Sequence, residues 1–333
     1  MERRGSAGGP QVSRLGAGWL VVLVACGPPV PEPTPGGGSS LPGARPGTPP
    51  AAPPAAVVEA WAPPPPDAFP AGPLGESVRR GLDLFTHTTE RLPAYAPGNI
   101  NCSNCHLDAG RKLGSAALVG AHARFPKYMD RTGSVIPLHD RVNYCFTRSL
   151  AGGRLPVESR QMSDLLAYIA WLSVDVPDGG QVPGVAMPKM PPLTGDPARG
   201  ATLYAEKCAV CHGDDGAGKA PGFPAVWGSR SYSIGASMAR EERAASFIRQ
   251  FMPQTAPGTL TDQEAYDLAA YINSHERPDS PGKENDWPNG DAPADVPYAT
   301  AQHVAFRAPP GLVPRSNPEA SVVAPPVVLP GAP

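Results

Sequence analysis

The sequence is poor in charged residues and carries no excess of either sign. Asp, Glu, Lys and Arg make up 17% of its 333 residues, and the formal net charge at pH 7 is −2. Proteins that act on nucleic acids usually present a basic stripe and have a high isoelectric point. The composition therefore argues against a nucleic-acid partner, and we expect none.

The sequence also lacks an apolar run long enough to cross a membrane. Its candidate run, Leu15–Cys26, follows Arg3, Arg4 and Arg14 and is shorter than the ~20 residues of a spanning helix. This order is typical of an export signal, and the small residues before Cys26 favour a lipoprotein signal with an acylated cysteine. An ordinary signal peptide is the alternative. We expect a periplasmic or other extracytoplasmic protein, anchored to a membrane by a lipid at Cys26.

Proline and glycine, in contrast, are abundant, with 46 and 37 residues, and they concentrate in three segments. Such segments cannot bury enough apolar surface to fold, so we expect them to be tethers or disordered flanks. The predicted order is a signal peptide at 1–26, a tether at 27–72, an N-terminal domain at 73–175, a linker at 176–195, a C-terminal domain at 196–282 and a Pro-rich tail at 283–333.

The two predicted domains resemble each other. "GLDLF" from Gly81 corresponds to "GATLY" from Gly200, "NCSNCH" to "KCAVCH", and Ala-Tyr-Ile at 167–169 to the same tripeptide at 270–272. Three landmarks in the same order indicate an internal duplication. Apolar residues before each Ala-Tyr-Ile recur at helical spacing, and no stretch alternates like a strand, so both halves are predicted to be helical.

Each half contains Cys-x-x-Cys-His, the attachment signature of a c-type haem. Two thiols three residues apart can reach the two vinyl groups of a porphyrin, and the following histidine can bind the iron. One match could be a redox dithiol, but two matches in duplicated halves indicate two covalently attached haem c groups. We predict an all-α protein of two tandem class-I-like cytochrome c domains, with attachment and proximal residues Cys102, Cys105, His106, Cys208, Cys211 and His212.

Each iron needs a second axial ligand or an open position for chemistry. In the second half, Met252 precedes Pro253 and a capping box formed by Thr261 and Glu264, so it would lie in an extended loop before the last helix. Met252 is therefore the favoured ligand and Met238 the second choice. Plain apolar packing is the alternative for both.

The first half has no methionine at the corresponding place, because Met162 falls on the apolar face of its last helix. His122 and His139 are possible ligands, but Cys145 lies nearest to the expected position. Four of the six cysteines attach haem and Cys26 is assigned to a lipid, so Cys145 is left over. A thiolate ligand on iron is the favoured role. The alternatives are a buried small apolar residue, or a disulfide with Cys26 if that residue is not acylated.

Cys145 lies within a local excess of basic residues. If 137–151 is a helix, Arg141, Cys145 and Ser149 share one face, and the guanidinium groups would favour a thiolate and bind a small oxyanion. A basic surface that docks an acidic redox partner is the other interpretation. Only Asp130 and Asp140 oppose the eight basic residues, which are Arg111, Lys112, Arg124, Lys127, Arg131, Arg141, Arg148 and Arg154.

Several segments together resemble the dihaem thiosulfate dehydrogenases, over residues 75–280. These are "NCSNCHLDAGR", "RFPKYMDRTG", "LHDRVNYCFTRSLAG", "FIRQFMP" and "AYINSHERPD". The resemblance implies that Cys145 is the distal ligand of a catalytic first haem, and that Arg131, Arg141 and Ser149 bind thiosulfate. It also implies that Met252 serves the second, electron-relaying haem.

The family joins two thiosulfates into tetrathionate, and some members favour the reverse reaction. Two positions depart from its pattern. Ala151 replaces a usual asparagine near the site, and Phe251 stands where some members have a lysine beside the methionine.

The motifs and the resemblance together predict an oxidoreductase acting on a small sulfur oxyanion with a redox partner such as another cytochrome c. A non-catalytic, membrane-tethered dihaem electron carrier is the alternative.

Overall fold

The computed structural model describes residues 56–58, 61–219, 222–303 and 316–317, and this part of the chain is mainly helical. The predicted signal peptide, Cys26 and residues 27–55 of the predicted tether lie outside the described residues. No helix among the described residues is both long and apolar enough to span a membrane.

The helices of the first half precede and follow a short hairpin. They are α1 (Gly72–Thr86), α2 (Thr88–Arg91), α3 (Cys102–Cys105), α4 (Leu138–Tyr144) and α5 (Arg160–Trp171). The hairpin pairs β1 (Lys127–Met129) with β2 (Ser134–Ile136) in antiparallel register. The second half contains α6 (Pro197–Lys207), α7 (Ala209–His212), α8 (Glu241–Phe251) and α9 (Asp262–Asn273). Two-residue strands β3 (Arg277–Pro278) and β4 (Ser316–Asn317) pair in parallel.

In the first half, α1 crosses α5 with backbone against backbone. Gly81 lies on the carbonyl of Asp164, where a Cβ atom would collide with the carbonyl oxygen. Next to the crossing, Arg80 Nε donates to Asp164 Oδ2 at 2.8 Å. A glycine is therefore required for the first and last helices of this half to meet at this distance.

The second half repeats this crossing with its own residues. Gly200 of α6 lies on the carbonyl of Asp267 in α9, with no room for a Cβ atom. Arg199 Nε donates to Asp267 Oδ2, also at 2.8 Å. The duplication seen in the sequence thus extends to matching glycine contacts and matching ion pairs, and both halves are built on the same helix crossing.

The first and last helices of the second half both begin at a capping residue. Asp196 caps α6, and its side chain accepts a hydrogen bond from the backbone N–H of Ala198 at 2.9 Å. Thr261 and Glu264 form the predicted capping box at the start of α9. Met162 in α5 has no exposed surface, as expected for a core residue.

The two halves contact each other directly. Asn99 of the first half donates to the carbonyl of Ala217 at 3.2 Å and accepts from the backbone N–H of Ala225 at 2.8 Å. The backbone N–H of Ser233 donates to the carbonyl of Arg148 at 2.9 Å. All described residues fall in one compact unit.

Residues 283–303, here called the C-terminal segment, differ from the predicted disordered tail. Trp287, Val296 and Tyr298 are almost fully buried and form a small apolar cluster with Ile234. The rings of Trp287 and Tyr298 supply the apolar surface of this cluster. The high proline content of the region gives no sign of it in the overall composition. The beginning of the predicted tail is therefore part of the folded structure.

We expect Gly81→Ala and Gly200→Ala each to lower the free energy of unfolding by about 1–3 kcal/mol, because the added methyl group forces the helices apart. Helix propensity alone predicts the opposite sign, since alanine is the better helix former. Thr202→Ala, an exposed change in α6, is the control. Denaturant unfolding followed by circular dichroism measures all three. A Gly200→Ala protein more stable than wild type would contradict the claim that the helix crossing requires glycine at this position.

Candidate functional site

The first Cys-x-x-Cys-His motif opens onto a cavity of about 300 Å³. Cys102 and Cys105, at the two ends of α3, line the cavity together with His106 and Cys145. The remaining wall is mostly apolar and includes Phe85, Ile100, Leu118, Leu138, Val142 and Leu165. An apolar chamber with two thiols and two metal-binding side chains is the environment that a covalently attached haem requires.

Both motif histidines are held by a backbone carbonyl. Nδ1 of His106 lies 2.6 Å from the carbonyl oxygen of Ala116, and Nδ1 of His212 lies 2.9 Å from that of Pro224. A carbonyl can only accept, so each Nδ1 carries the proton and each Nε2 is left with a free lone pair. This second contact orients a histidine for metal binding. The residues of both motifs thus fit a haem iron.

The thiols of the first cavity differ in acidity. Burial raises the pKa of Cys102 and of Cys105 to about 12. Burial raises the pKa of Cys145, but the charge of Arg141, the contact with His106 and the hydrogen bond from Arg141 together outweigh it and lower the pKa to about 6. Cys145 is therefore the thiol whose surroundings favour a thiolate, the form that binds iron.

Cys145 occupies the point where α4 changes its winding. The predicted helix over 137–151 is α-helical only to Tyr144 and continues as a π-helical turn over Cys145–Ser149. The prediction of one continuous face is therefore wrong in detail. Arg141 still reaches Cys145, with Nη1 at 3.1 Å from Sγ, and Ser149 lines the cavity from the π turn. Such turns are frequent at functional sites.

A second cavity, of about 250 Å³, adjoins the first and is here called the anion pocket. Both cavities share Met129, Arg141 and Ser149 as wall residues. The anion pocket is polar, and its other walls include Arg131, Tyr144, Arg148, Gly235, Ser237, Arg240 and Trp287. The predicted substrate residues Arg131, Arg141 and Ser149 thus line one pocket, and Arg141 and Ser149 connect it to the cavity of Cys145.

Arg131 is fixed on two sides but forms no ion pair. Its Nη1 donates to the carbonyl of Gly235 at 2.6 Å, and its guanidinium lies 4.4 Å from the ring centre of Trp287. Burial lowers the pKa of Arg131, although an arginine stays charged in this range. Neither Arg131 nor Arg141 contacts a carboxylate in the described part of the chain.

The two other arginines of the anion pocket are neutralised by the C-terminal segment. Arg148 donates to both oxygens of Asp286, at 2.8 and 2.7 Å, and Arg240 Nε donates to Asp295 at 2.7 Å. Asp130 is the remaining acidic residue of the pocket wall, and among the described residues neither Arg131 nor Arg141 forms an ion pair with it or with another carboxylate.

Sequence reasoning missed Asp286, Trp287 and Asp295. These residues are distant in the chain from the motifs and lie in a segment whose composition predicts a tail. The dipeptide Asp286-Trp287 was a weak signal, because a tryptophan is unusual in a Pro-rich flank.

The basic residues predicted around Cys145 do not form one continuous surface. Arg111 pairs with Asp108 at 2.7 Å, and Arg154 pairs with Asp140 at 2.5 Å. Arg124 and Lys127 line the first cavity. His122 and His139, the alternative nitrogen ligands, are not among the residues that line it.

The two positions that depart from the family pattern have structural explanations. Ala151 has a φ of 48°, a left-handed conformation that asparagine adopts more easily than alanine. The ring of Phe251 is buried against Phe247, with the ring centres 5.4 Å apart. A buried ring at this position leaves no place for a lysine ligand.

The second motif lies on α7, where Cys208 and Cys211 flank the exposed Val210. Met252 follows the last residue of α8 in an extended conformation, as predicted for a loop. Met252 and Met238 both pack against the core of the second half, and so does Met190, which sequence reasoning did not consider. Met252 as distal ligand stays a prediction.

Comparison with known proteins identifies the same two halves. The family model described as a SoxA/TsdA cytochrome c domain matches residues 93–177, and the cytochrome c model matches residues 197–276. The thiosulfate dehydrogenase of Stutzerimonas stutzeri is 42% identical to the chain over 66% of this chain and 73% of that protein. The enzyme of that name from Psychrobacter arcticus is 40% identical over 70% and 73%.

A solved structure is also similar. The as-isolated thiosulfate dehydrogenase from Marichromatium purpuratum aligns with a TM-score of 0.63 and 39% identity over 67% of this chain. This chain spans 50% of the length of that structure.

We expect Asp286→Asn to lower the free energy of unfolding by about 3–5 kcal/mol, because it leaves the buried charge of Arg148 unpaired. Asp140→Asn removes an ion pair whose arginine side chain is 54% exposed, and the expected loss is about 0–1 kcal/mol. Thermal unfolding of both variants checks this. Equal losses would show that the Arg148–Asp286 pair does not hold the C-terminal segment in place.

Proposed function

The chain belongs to the thiosulfate dehydrogenase family of dihaem c-type cytochromes, and on that premise we propose that it interconverts thiosulfate and tetrathionate in its anion pocket. The observation that carries the proposal is the pair of guanidinium groups on Arg131 and Arg141 in one pocket, both without a carboxylate partner among the described residues, with Arg141 in contact with the thiol of Cys145. Two fixed positive charges complement one thiosulfate dianion.

The proposed reaction balances with the two haem groups of the chain. Two thiosulfate dianions lose two electrons in total and form one sulfur–sulfur bond, which gives one tetrathionate dianion and releases no proton. The haem groups, when bound, supply the iron atoms that accept these electrons, one electron each. No oxygen atom or further co-reactant is required.

The residues of the chain have distinct roles in this proposal. Arg131 and Arg141 bind the sulfonate oxygens, and the hydroxyl of Ser149 donates a third hydrogen bond. All three residues are half-buried, and a charged contact at such a position is stronger than in bulk water. Arg141 lines both cavities and also contacts Sγ of Cys145. A thiosulfate held by Arg141 would therefore have its terminal sulfur directed toward Cys145.

We assign the haem-binding residues as follows. Cys102, Cys105, Cys208 and Cys211 form the thioether bonds. His106 and Cys145 would bind the first iron, and His212 and Met252 the second, with Met238 as the alternative to Met252. Electrons would leave through the second half to a redox partner such as another cytochrome c. We also propose export and a lipid anchor at Cys26, as the N-terminal sequence predicts.

A non-catalytic electron carrier is the competing function. It would use the arginines as a docking surface, but Arg148 is buried against Asp286 and Arg240 is largely buried against Asp295. An arginine cluster that points into a cavity and is partly neutralised inside the protein favours a small anion over a protein surface.

The first test of the proposed function measures thiosulfate-dependent reduction of ferricyanide, with tetrathionate formation in the same sample. We expect turnover by the wild type and its loss in Cys145→Gly. Arg141→Gln removes a charged contact worth about 1.5–3 kcal/mol, which corresponds to about a 10- to 100-fold fall in kcat/KM. Arg154→Gln, which removes a half-exposed surface charge, should behave as wild type. If the wild type does not oxidise thiosulfate, the proposed function is contradicted and the non-catalytic electron carrier is favoured.

The second test concerns the ring that holds Arg131. We expect Trp287→Leu to raise KM for thiosulfate about 10-fold, because it removes a cation–π contact worth about 1–2 kcal/mol, while Trp287→Phe keeps KM within about 3-fold of wild type. Steady-state kinetics measure both values. Equal KM values in the leucine and phenylalanine variants would mean that the ring does not position Arg131.

A further inference from the structure

The wall of the first cavity carries positive charge and no negative charge. Its basic residues are Arg124, Lys127 and Arg141, and none of the other residues that line it is acidic. Arg141 has a partner inside the cavity, because its Nη1 lies 3.1 Å from Sγ of Cys145. Arg124 and Lys127 belong neither to the attachment motif nor to the wall of the anion pocket. Two cations of a mostly apolar chamber are thus left without a role.

Arg124 is half-buried but is not paired with a carboxylate. Its Nη2 lies 3.5 Å from the carbonyl oxygen of Val119, a long contact that leaves the other donors of the guanidinium available. Burial lowers the pKa of Arg124, and no carboxylate among the described residues opposes this effect. A guanidinium keeps its charge even so, and burying a charge without a partner is unfavourable. This position therefore favours an anion in the cavity.

Lys127 lies on the same wall, three residues further along the chain. It is exposed, so the cavity reaches the surface on this side. Its ammonium group forms no ion pair within the part of the chain that the structure describes. Arg124 and Lys127, here called the cationic rim, thus stand where the apolar chamber opens to solvent.

The backbone holds both residues of the cationic rim in place. The carbonyl of Ala123, next to Arg124, accepts a hydrogen bond from the N–H of Gly179 at 2.7 Å. Lys127 is the first residue of β1 and is paired with Ile136 of β2. The two cations are therefore presented by hydrogen-bonded backbone on one side of the cavity.

We propose that Arg124 and Lys127 bind the propionate carboxylates of the haem attached at Cys102 and Cys105. The ring of a haem is apolar, and its two propionates carry the negative charge at its edge. The apolar wall of the cavity fits the ring, and the two cations complement the two carboxylates. The mouth of the cavity also lets the carboxylates keep contact with water. The inference depends on haem attachment and not on thiosulfate turnover.

The expected consequence is a raised reduction potential of the first haem. A nearby cation disfavours the oxidised iron, which carries one more positive charge than the reduced iron. Charge and hydrogen bonding around a haem are determinants of its potential. Replacing a cation of the rim by a neutral side chain leaves a propionate charge uncompensated, which stabilises oxidised iron. Each such replacement should therefore lower the potential.

The experiment compares wild-type, Arg124→Gln, Arg124→Lys and Lys127→Gln holoprotein by spectroelectrochemical titration without thiosulfate. At a fixed applied potential, we expect Arg124→Gln to lower the ratio of reduced to oxidised first haem by about 10-fold. Lys127→Gln should lower it less, because solvent screens an exposed charge. Arg124→Lys keeps the charge and should shift the ratio less than Arg124→Gln.

Lys112→Gln is the matched control. Lys112 is an exposed cation of the same half that does not line the cavity, so its replacement should leave both potentials close to those of the wild type. The first haem is identified as the one whose potential Cys145→Gly changes. The potential of the second haem should stay the same in all rim variants.

Resonance Raman spectra of the same samples give a readout that a purely structural role would not move. The bending vibration of a haem propionate depends on the hydrogen bonds to its carboxylate. We expect this band to shift in Arg124→Gln and in Lys127→Gln, and to keep its wild-type position in Lys112→Gln.

Folded, fully haem-loaded glutamine variants with wild-type potentials and wild-type propionate bands would overturn the proposal. So would a wild-type first-haem potential that depends on added phosphate or chloride, because the cationic rim would then bind a free anion. If Arg124→Gln does not fold or load haem, Lys127→Gln carries the test, since its position is exposed. A wild type without thiosulfate turnover but with these shifts would refute only the proposed function.

Discussion

A guanidinium group keeps its positive charge at any depth in a protein, and the centre of this molecule is organised by several that are fully or largely buried. Each must meet a carboxylate, a π face or a bound anion. Arg148 meets Asp286, and Arg131 meets the ring of Trp287. These pairings bring the C-terminal segment back onto the first half, define the anion pocket, and leave a surplus of positive charge beside Cys145.

The two halves show how one scaffold can acquire two roles. The same glycine crossing and the same arginine–aspartate pair recur, at Gly81 and at Gly200, and both histidines are held by a carbonyl. The difference lies on the opposite side of each haem site. A π turn presents a thiol and a hydroxyl in the first half, whereas a methionine loop follows α8 in the second. The scaffold is shared, and the side chains at these two places have diverged.

Local chemistry was predictable from the sequence, and long-range pairing was not. The attachment motifs, the cap at Asp196 and the approach of Arg141 to Cys145 depend on residues at most four positions apart, so spacing alone indicates them. Asp286 pairs with Arg148 across more than a hundred residues, and no periodic pattern reports such a contact. The π turn also escaped prediction, because it differs from an α-helix by a single residue per turn.

The C-terminal segment follows both halves in the chain, yet it forms a wall of a pocket built mainly by the first half. Before this segment is in place, the first half would have its thiol in position but Arg148 unpaired and its pocket open. Completion of the binding site thus depends on a segment that follows both halves, and Cys145 acquires its final surroundings only when that segment has packed against the first half.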